Sequence, residues 1–290
     1  MSLEETDALT DCTPEQAIQV AERLGLHPLG EARRLLGGAD LAAFQIACAG
    51  GAAVALRVAG PERAQSFIRE AAVMHAARSA GIPVPAVLAT GRAQTFSAMA
   101  MEFVPGVTLF EYIKKHPASA SRLGYLFGKL QAQLHAAPEN DVPESSWATP
   151  QSAVEAQLLR VARGTSAKVS LLHLDFHPMN ALTDGRHITG IIDWTNAGTG
   201  DPRQDIARTA AILRIEAPRE ARASIRRFLR GWHHGYLETA GAIPRLAPFL
   251  AWAGARMERD LEMRADALHQ MRIRNWTALW QVAAGQVGVF

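Results

Sequence analysis

Residues 173–180 read HLDFHPMN, and residues 191–194, at the end of the next short apolar run, read IIDW. Asp175 precedes Asn180 by five positions, so a single loop can present both a carboxylate and an amide oxygen. Asp193 follows at the end of an apolar run, a spacing that fits a short hairpin. A small set of hard oxygen ligands suits Mg²⁺, which takes its other ligands from phosphate and water. Phosphoryl transfer requires this combination of a carboxylate and held metal ions from a protein.

A third stretch, residues 200–207, reads GDPRQDIA. Together the three stretches resemble the aminoglycoside-phosphotransferase/choline-kinase family, a branch of the protein-kinase-like fold. That family shows His-Gly-Asp, four residues and Asn, then an Ile-Asp-Trp/Phe metal site and the signature Gly-Asp-Pro-x-x-Asp-Leu-Ala. The resemblance implies that Asp175 is the catalytic base and that Asn180 and Asp193 are magnesium ligands.

The same resemblance implies supporting roles for neighbouring residues. His173 matches a residue that orients the loop, and Asp205 matches an aspartate that braces the loop through its backbone. His177 precedes a proline and is interpreted as a loop residue, with a phosphate contact as the alternative. Leu174 departs from the family pattern, because it stands where the family usually has glycine and so changes the backbone freedom of the loop.

The N-terminal half contains residues that resemble the family's phosphate-binding groups. Arg57, in the stretch Val54–Arg57, matches the strand whose basic residue pairs with the α- and β-phosphates, and Arg can bind phosphate bidentately. Glu70 matches the helical glutamate that fixes this cation, with a solvent-facing helix charge as the alternative. Gly37 and Gly38 would form the turn over the phosphates, although a glycine-rich turn alone is weak support.

Residues 99–106, MAMEFVPG, resemble the hinge segment of the family. The match implies that the backbone carbonyl of Glu102 and the amide of Val104 bind the adenine edge. Met101 would lie behind the ring, and its alternative role is ordinary core packing. The implied nucleotide is ATP, with GTP as the alternative.

The order of predicted elements agrees with an α+β fold of two lobes. The pattern predicts helices over residues 13–25, 63–80 and 119–137, three antiparallel strands within 34–58, a strand over 98–104, and three or four helices within 202–282. We therefore expect a small N-terminal antiparallel β lobe with one long helix, residues 1–103, that binds nucleotide. A larger, mainly helical lobe, residues 104–290, would hold the catalytic loop and the acceptor.

Composition excludes several other classes of protein. The chain has 290 residues and a net charge of +2, without a Lys/Arg-rich block, which argues against a nucleic-acid partner. No apolar run approaches the roughly 20 residues that span a membrane. Cys12 and Cys48 stand in no metal-binding spacing and are expected to be reduced thiols, so we expect a cytoplasmic protein.

The predicted function is ATP- and Mg²⁺-dependent O-phosphorylation of a small molecule that bears a hydroxyl, either an antibiotic-like compound or a metabolite. A metabolite kinase for an amino alcohol or a sugar is an alternative with the same chemistry. A non-catalytic nucleotide-binding regulatory protein of the same fold is a second alternative. The complete set of Asp175, Asn180 and Asp193 argues against it, and the sequence does not identify the acceptor.

Overall fold

The computed structural model describes residues 12–35, 41–51, 53–93, 95–139, 141–163, 168–261 and 266–287. The chain divides into two units. The first comprises the chain up to Ser79 together with Val84–Pro105, and the second comprises Ala80–Pro83 and the chain from Gly106 onward. The predicted α+β class is confirmed, because the first unit is built on an antiparallel sheet and the second is mainly helical.

The first unit contains two helices and five strands. They are α1 (Pro14–Arg23), β1 (Arg33–Arg34), β2 (Ala42–Ala47), β3 (Ala53–Ala59), α2 (Ala64–Ser79), β4 (Val87–Ala93) and β5 (Phe96–Glu102). Helix α1 begins where the sequence predicts, since the Thr13 hydroxyl accepts a hydrogen bond from the Gln16 amide and the Gln16 side chain accepts one from Thr13. Helix α2 confirms the helix predicted over residues 63–80.

The strands of the first unit form one antiparallel sheet in the order β1-β2-β3-β5-β4. Its buried face carries Phe44, Ile46 and Leu56, which pack in one hydrophobic cluster with Val20 of α1. Strand β4 is missing from the sequence-based prediction. It is an irregular edge strand without clear alternation, and its pairing with β5 defines it.

The second unit contains seven helices and five short strands within the described residues. They are β6 (Val107–Thr108), α3 (Leu109–Lys115), α4 (Ala120–Ala136), α5 (Ala153–Arg163), β7 (Ser170–Leu172), β8 (Ala181–Thr183), β9 (Ile188–Ile191), β10 (Gly198–Gly200), α6 (Pro202–Ile215), α7 (Arg222–Ala240), α8 (Ala247–Leu261) and α9 (Ala267–Val287). Helix α4 confirms the long helix predicted over residues 119–137, and the four helices α6 to α9 agree with the three or four helices predicted within residues 202–282.

Two small sheets flank residues 173–180. Strands β7 and β10 pair antiparallel, and β8 pairs with both β6 and β9. The hairpin predicted from the position of Asp193 is formed by β8 and β9, in which Ala181 is opposite Ile191. Asn180 immediately before β8 and Ile192 immediately after β9 therefore lie side by side.

Helices α4 and α7 pack with unusually close backbones because four glycines face the contact. A Cβ atom at Gly124 would lie 2.2 Å from the carbonyl oxygen of Phe228, and one at Gly128 would lie 2.1 Å from that of Trp232. Gly231 and Gly235 of α7 approach backbone carbonyls of α4 in the same way.

None of the helices in the described residues is long and apolar enough to cross a membrane. Cys12 and Cys48 are both buried free thiols.

Candidate active site

The loop between β7 and β8 is held in shape by Leu174. Its backbone has φ 61°, in the left-handed region that L-residues rarely adopt. The Leu174 amide donates to Oδ1 of Asp205 at 2.7 Å, and the side chain is fully buried. Leu174 thus adopts a backbone conformation that suits glycine better. The hydrogen bond to Asp205 and the burial of the leucine side chain hold the backbone in that conformation.

Asp175 is partly exposed, and its Oδ2 is contacted by two side chains of the same loop. Nδ2 of Asn180 donates to Oδ2 at 2.9 Å. Nε2 of His177 lies 3.3 Å from the same oxygen. Because Nδ1 of His177 accepts a hydrogen bond from the Met179 amide, Nε2 is the nitrogen that carries the proton toward Asp175.

His173 joins the segments that carry the three predicted functional residues. Its Nδ1 accepts from the Asp175 amide at 3.2 Å, and its Nε2 donates to the Ile192 carbonyl oxygen at 3.1 Å. The Ile192 amide in turn donates to the Asn180 carbonyl oxygen at 2.9 Å. The structure therefore brings together Asp175, Asn180 and the residue preceding Asp193. Burial lowers the pKa of His173, which keeps the ring neutral, as its two hydrogen bonds require.

The carboxylate of Asp175 is ionised near neutral pH. Burial alone raises the pKa of Asp175, but the hydrogen bond from His177 and the nearby charges, that of Arg208 among them, outweigh burial. The pKa consequently lies well below the usual value of an aspartate. An ionised carboxylate can accept a hydrogen bond from a hydroxyl group, which is the first requirement for its predicted role.

Asp205 is fully buried below the loop, on helix α6. The helix begins at Asp201, which caps it with a capping box to Gln204. The Asp205 carboxylate accepts from the amides of Leu174 and His173, from Nε2 of His135 at 2.9 Å and from Nε2 of Gln131 at 3.2 Å.

Burial alone would raise the pKa of Asp205, yet the hydrogen bonds from His135 and Gln131 help to bring it below the usual value. On its other side the His135 ring bonds the Tyr236 hydroxyl through Nδ1 at 2.9 Å. The aspartate is therefore held by helices α4 and α7 as well as by the loop.

Asn180 and Asp193 carry the oxygen ligands that Mg²⁺ prefers. The hydrogen bond from Nδ2 of Asn180 to Asp175 turns the amide so that its Oδ1 faces away from that carboxylate. Asp193 is exposed, with φ 61°, and its Oδ1 accepts from the Thr195 hydroxyl at 2.8 Å. In the part of the chain that the structure describes, no group of three or more His, Cys, Asp or Glu is arranged to hold a metal. An amide oxygen and a carboxylate fit Mg²⁺, which binds through few protein oxygens and completes its shell with phosphate and water.

The first unit places Arg57 and Glu70 in an ion pair. Arg57 lies on β3 opposite Ala43 of β2 and Met99 of β5, and Glu70 of α2 is buried beside it. Glu70 is thus paired with Arg57 and is not an exposed helix charge.

The other residues predicted to bind nucleotide lie at the end of β5. Met101 is buried, Glu102 ends the strand, and Val104 is half-buried in the segment that follows. Gly37 and Gly38 lie outside the described residues.

Two contacts of Asp175 are absent from the sequence-based prediction. His177 was interpreted as a loop residue, yet its ring contacts the carboxylate. Arg208 was not considered, and its Nη2 lies 4.0 Å from Oδ1 of Asp175. Its position three residues after Asp205, one turn along the same helix, is a signal that could have identified it.

Comparison with known proteins establishes the family. A sequence model of the phosphotransferase enzyme family matches residues 31–167 and 151–249. The chain therefore belongs to the phosphotransferase enzyme family. No curated protein sequence gives a significant match.

Solved structures show which proteins share the fold. One of them is a thermostable mutant of aminoglycoside phosphotransferase APH(4)-Ia in a ternary complex with AMP-PNP and hygromycin B. Its sequence is 19% identical to this chain and its TM-score is 0.66, and the alignment covers 92% of this chain and 97% of that one. The macrolide 2′-phosphotransferase MphH from Brachybacterium faecium is 18% identical, with a TM-score of 0.59, covering 94% and 98%. The predicted protein-kinase-like fold is thereby confirmed.

Proposed function

We propose that the protein transfers the γ-phosphate of ATP to a hydroxyl group of a small organic acceptor, with Asp175 as the residue that receives the hydroxyl proton. The observation that carries the proposal is the set of hydrogen bonds around His173, which joins Asp175, Asn180 and the segment of Asp193 into one site. APH(4)-Ia forms a ternary complex with AMP-PNP and hygromycin B. That complex supports the proposal that the present protein also binds a nucleotide and a small acceptor.

In this mechanism Asp175 mainly orients the acceptor. Its pKa is low, so the carboxylate is a weak base and accepts a hydrogen bond before it accepts a proton. The acceptor oxygen forms a bond to the γ-phosphorus while the bond from that phosphorus to the bridging oxygen of ADP breaks. The hydroxyl becomes acidic as the new bond forms, and its proton then passes to Asp175. Such late proton transfer suits phosphoryl transfer, in which positioning and electrostatics supply most of the catalysis.

Nucleotide binding is proposed for residues of the first unit, and magnesium binding for residues of the second. Arg57, fixed by Glu70, would bind the α- and β-phosphates, while Met101, Glu102 and Val104 would bind the adenine. Asn180 and Asp193 would hold Mg²⁺, which neutralises charge on the phosphates when bound.

We expect Asp175→Asn to lower kcat for phosphoryl transfer by about 10²- to 10⁴-fold, because the amide cannot accept the hydroxyl proton. The assay is ADP release with ATP and Mg²⁺ against a panel of aminoglycosides, macrolides, amino alcohols and sugars. Binding of AMP-PNP, measured by calorimetry, should be preserved.

The matched control is Asp141→Asn. Asp141 is an exposed aspartate of the second unit with φ 63°, a conformation that asparagine also tolerates. It should transfer phosphate at the wild-type rate. An Asp175→Asn variant within tenfold of the wild type would contradict the assignment of Asp175.

A further inference from the structure

Arg208 is a cation beside Asp175 whose donors the fold leaves partly unused. Its Nη2 lies 4.0 Å from Oδ1 of Asp175, which is too long for a hydrogen bond. Its Nε and Nη1 are buried and have no hydrogen-bond partner among the described residues. Buried guanidinium donors are normally paired, so the charge of Arg208 is less compensated by hydrogen bonds than is usual. The Arg208 side chain keeps 13% of its surface exposed, which leaves part of the guanidinium open to a ligand.

The fold holds Arg208 at a fixed place relative to the loop. Its helix, α6, is tied to the loop by the hydrogen bond from the Leu174 amide to Asp205 and by that from the Thr209 hydroxyl to the Phe176 carbonyl oxygen, 2.7 and 2.9 Å long. The guanidinium also lies over the Trp147 ring, 4.5 Å from its centroid. A cation held by both helix and ring is preorganised for binding.

Neighbouring carboxylates are already used by two other arginines. Arg256 also lies over Trp147, at 4.2 Å, and it contacts Glu155 at 3.4 Å. Arg259 contacts Glu155 at 3.0 Å, and Asp260 lies 3.7 Å from each of these two arginines.

Among the residues that the structure describes, Asp175 is the one whose carboxylate lies within 4.0 Å of the Arg208 guanidinium. Three arginines and three carboxylates thus make up this cluster, and the carboxylate beside Arg208 is the residue that the proposed function assigns to the acceptor hydroxyl.

We propose that Arg208 binds an anionic oxygen of the acceptor, which makes the acceptor a hydroxyl compound that carries a carboxylate or a phosphate near the reacting hydroxyl. This inference rests on the proposed function. The guanidinium attracts either oxyanion by its charge, with Nη2 as the donor that is not sealed off, and it repels an amine placed at the same point. Since Nη2 lies 4.0 Å from the Asp175 carboxylate, the anionic group and the hydroxyl must be only a few bonds apart. Arg208 takes no part in the bond changes themselves.

The test compares acceptors that share a carbon skeleton and carry no charge, a carboxylate or a phosphate. Glycerol, glycerate and glycerol phosphate form one set, and glucose, gluconate and glucose phosphate form another. ADP release gives kcat/KM for each compound. In at least one set the wild type should prefer an anionic member over the neutral one by about 10- to 100-fold, as expected for a hydrogen bond to a charged group. The carboxylate and phosphate members separate the two sources of the oxyanion.

Variants connect that preference to Arg208. Arg208→Gln should abolish the preference and leave the KM for ATP unchanged. Arg214→Gln, the matched control, removes an exposed arginine from the same helix and should keep the preference. If Arg208→Gln shows no cooperative thermal transition, Arg208→Lys replaces it. The lysine keeps the charge on a shorter group that does not reach the position of Nη2, so its preference should fall.

The outcomes separate this inference from the proposed function. If no skeleton favours its anionic member, or if the preference persists in the Arg208 variants, the inference is wrong. Asp175-dependent transfer to neutral or amine-bearing acceptors alone would retain the proposed function and reject the anionic acceptor. Absence of Asp175-dependent transfer to every compound of both panels would reject both.

Discussion

Leu174 illustrates how a single residue can combine backbone strain with core packing. A left-handed conformation costs an L-residue about 1–2 kcal/mol relative to its usual backbone regions. The fully buried Leu174 side chain belongs to the same hydrophobic cluster as Leu172 and Phe249, and removing a buried leucine side chain typically costs about 2–5 kcal/mol. Packing therefore outweighs the strain, which explains why leucine is accommodated where the family usually has glycine.

We predict that Leu174→Gly destabilises the protein by about 1–4 kcal/mol, because the loss of packing is only partly offset by relief of the backbone. Leu172→Gly is the matched control, since it removes a buried leucine from strand β7 and gains no such relief. Urea denaturation should therefore show a larger loss for Leu172→Gly than for Leu174→Gly. Equal losses would show that position 174 is not strained.

Helices α4 and α7 connect the candidate site to the core of the second unit. Gln131 and His135 of α4 bond Asp205, while Trp232 and Tyr236 of α7 bond those two residues in turn. The chain of contacts depends on the short distance between the two helix backbones, which the facing glycines permit. The packing of these helices and the position of the loop are therefore coupled.

We predict that Gly128→Ala destabilises the protein by about 1–3 kcal/mol, because the new methyl group would overlap the Trp232 carbonyl oxygen, a backbone atom that cannot rotate away. Phosphoryl transfer should fall as well, since the helices that hold Asp205 would separate. Gly285→Ala is the control: this glycine lies in α9 with no atom within 4 Å of the added Cβ, and the change should stabilise by up to about 1 kcal/mol. Thermal denaturation of the two variants should shift in opposite directions, and equal stability of Gly128→Ala and the wild type would contradict the close packing.

Charge is distributed unevenly over the whole molecule. Residues 207–290 contain 13 Lys and Arg and 7 Asp and Glu, an excess of six positive charges, although the complete chain has a net charge of only +2. Two acidic side chains that could reverse this balance near an acceptor are paired. Glu258 bonds Arg274 at 3.0 Å, and Asp260 lies 3.7 Å from Arg256 and Arg259. Glu262 lies outside the described residues.

We predict that kanamycin and similar polycationic compounds are poor acceptors, because a basic region repels them and complementary potential governs both encounter and selection. ADP release at micromolar concentrations of several aminoglycosides should be near the rate without acceptor. Adding salt should raise it slightly by screening the repulsion. Efficient, saturable phosphorylation of several of these compounds would contradict the prediction.

Local sequence determined much of this protein. The capping box at Thr13 and the order of helices and strands follow from spacings of a few residues, and the set of Asp175, Asn180 and Asp193 was predicted from motifs that resemble a known family. Propensity, capping and turn geometry act over that range. The irregular strand β4 lacked such a signal, and only its partner β5 defined it.

Only the tertiary structure showed which distant side chains surround the candidate base. His135 and Asp205 are 70 positions apart in sequence, and Gln131 and Trp232 are 101 apart. The stacking of Arg208 on Trp147 likewise joins two separate elements. No local pattern encodes such pairs, because they depend on how helices pack, and that packing is set by the burial of many side chains together. The sequence therefore predicted the candidate residues of the loop, while the fold determined which distant side chains lie beside Asp175.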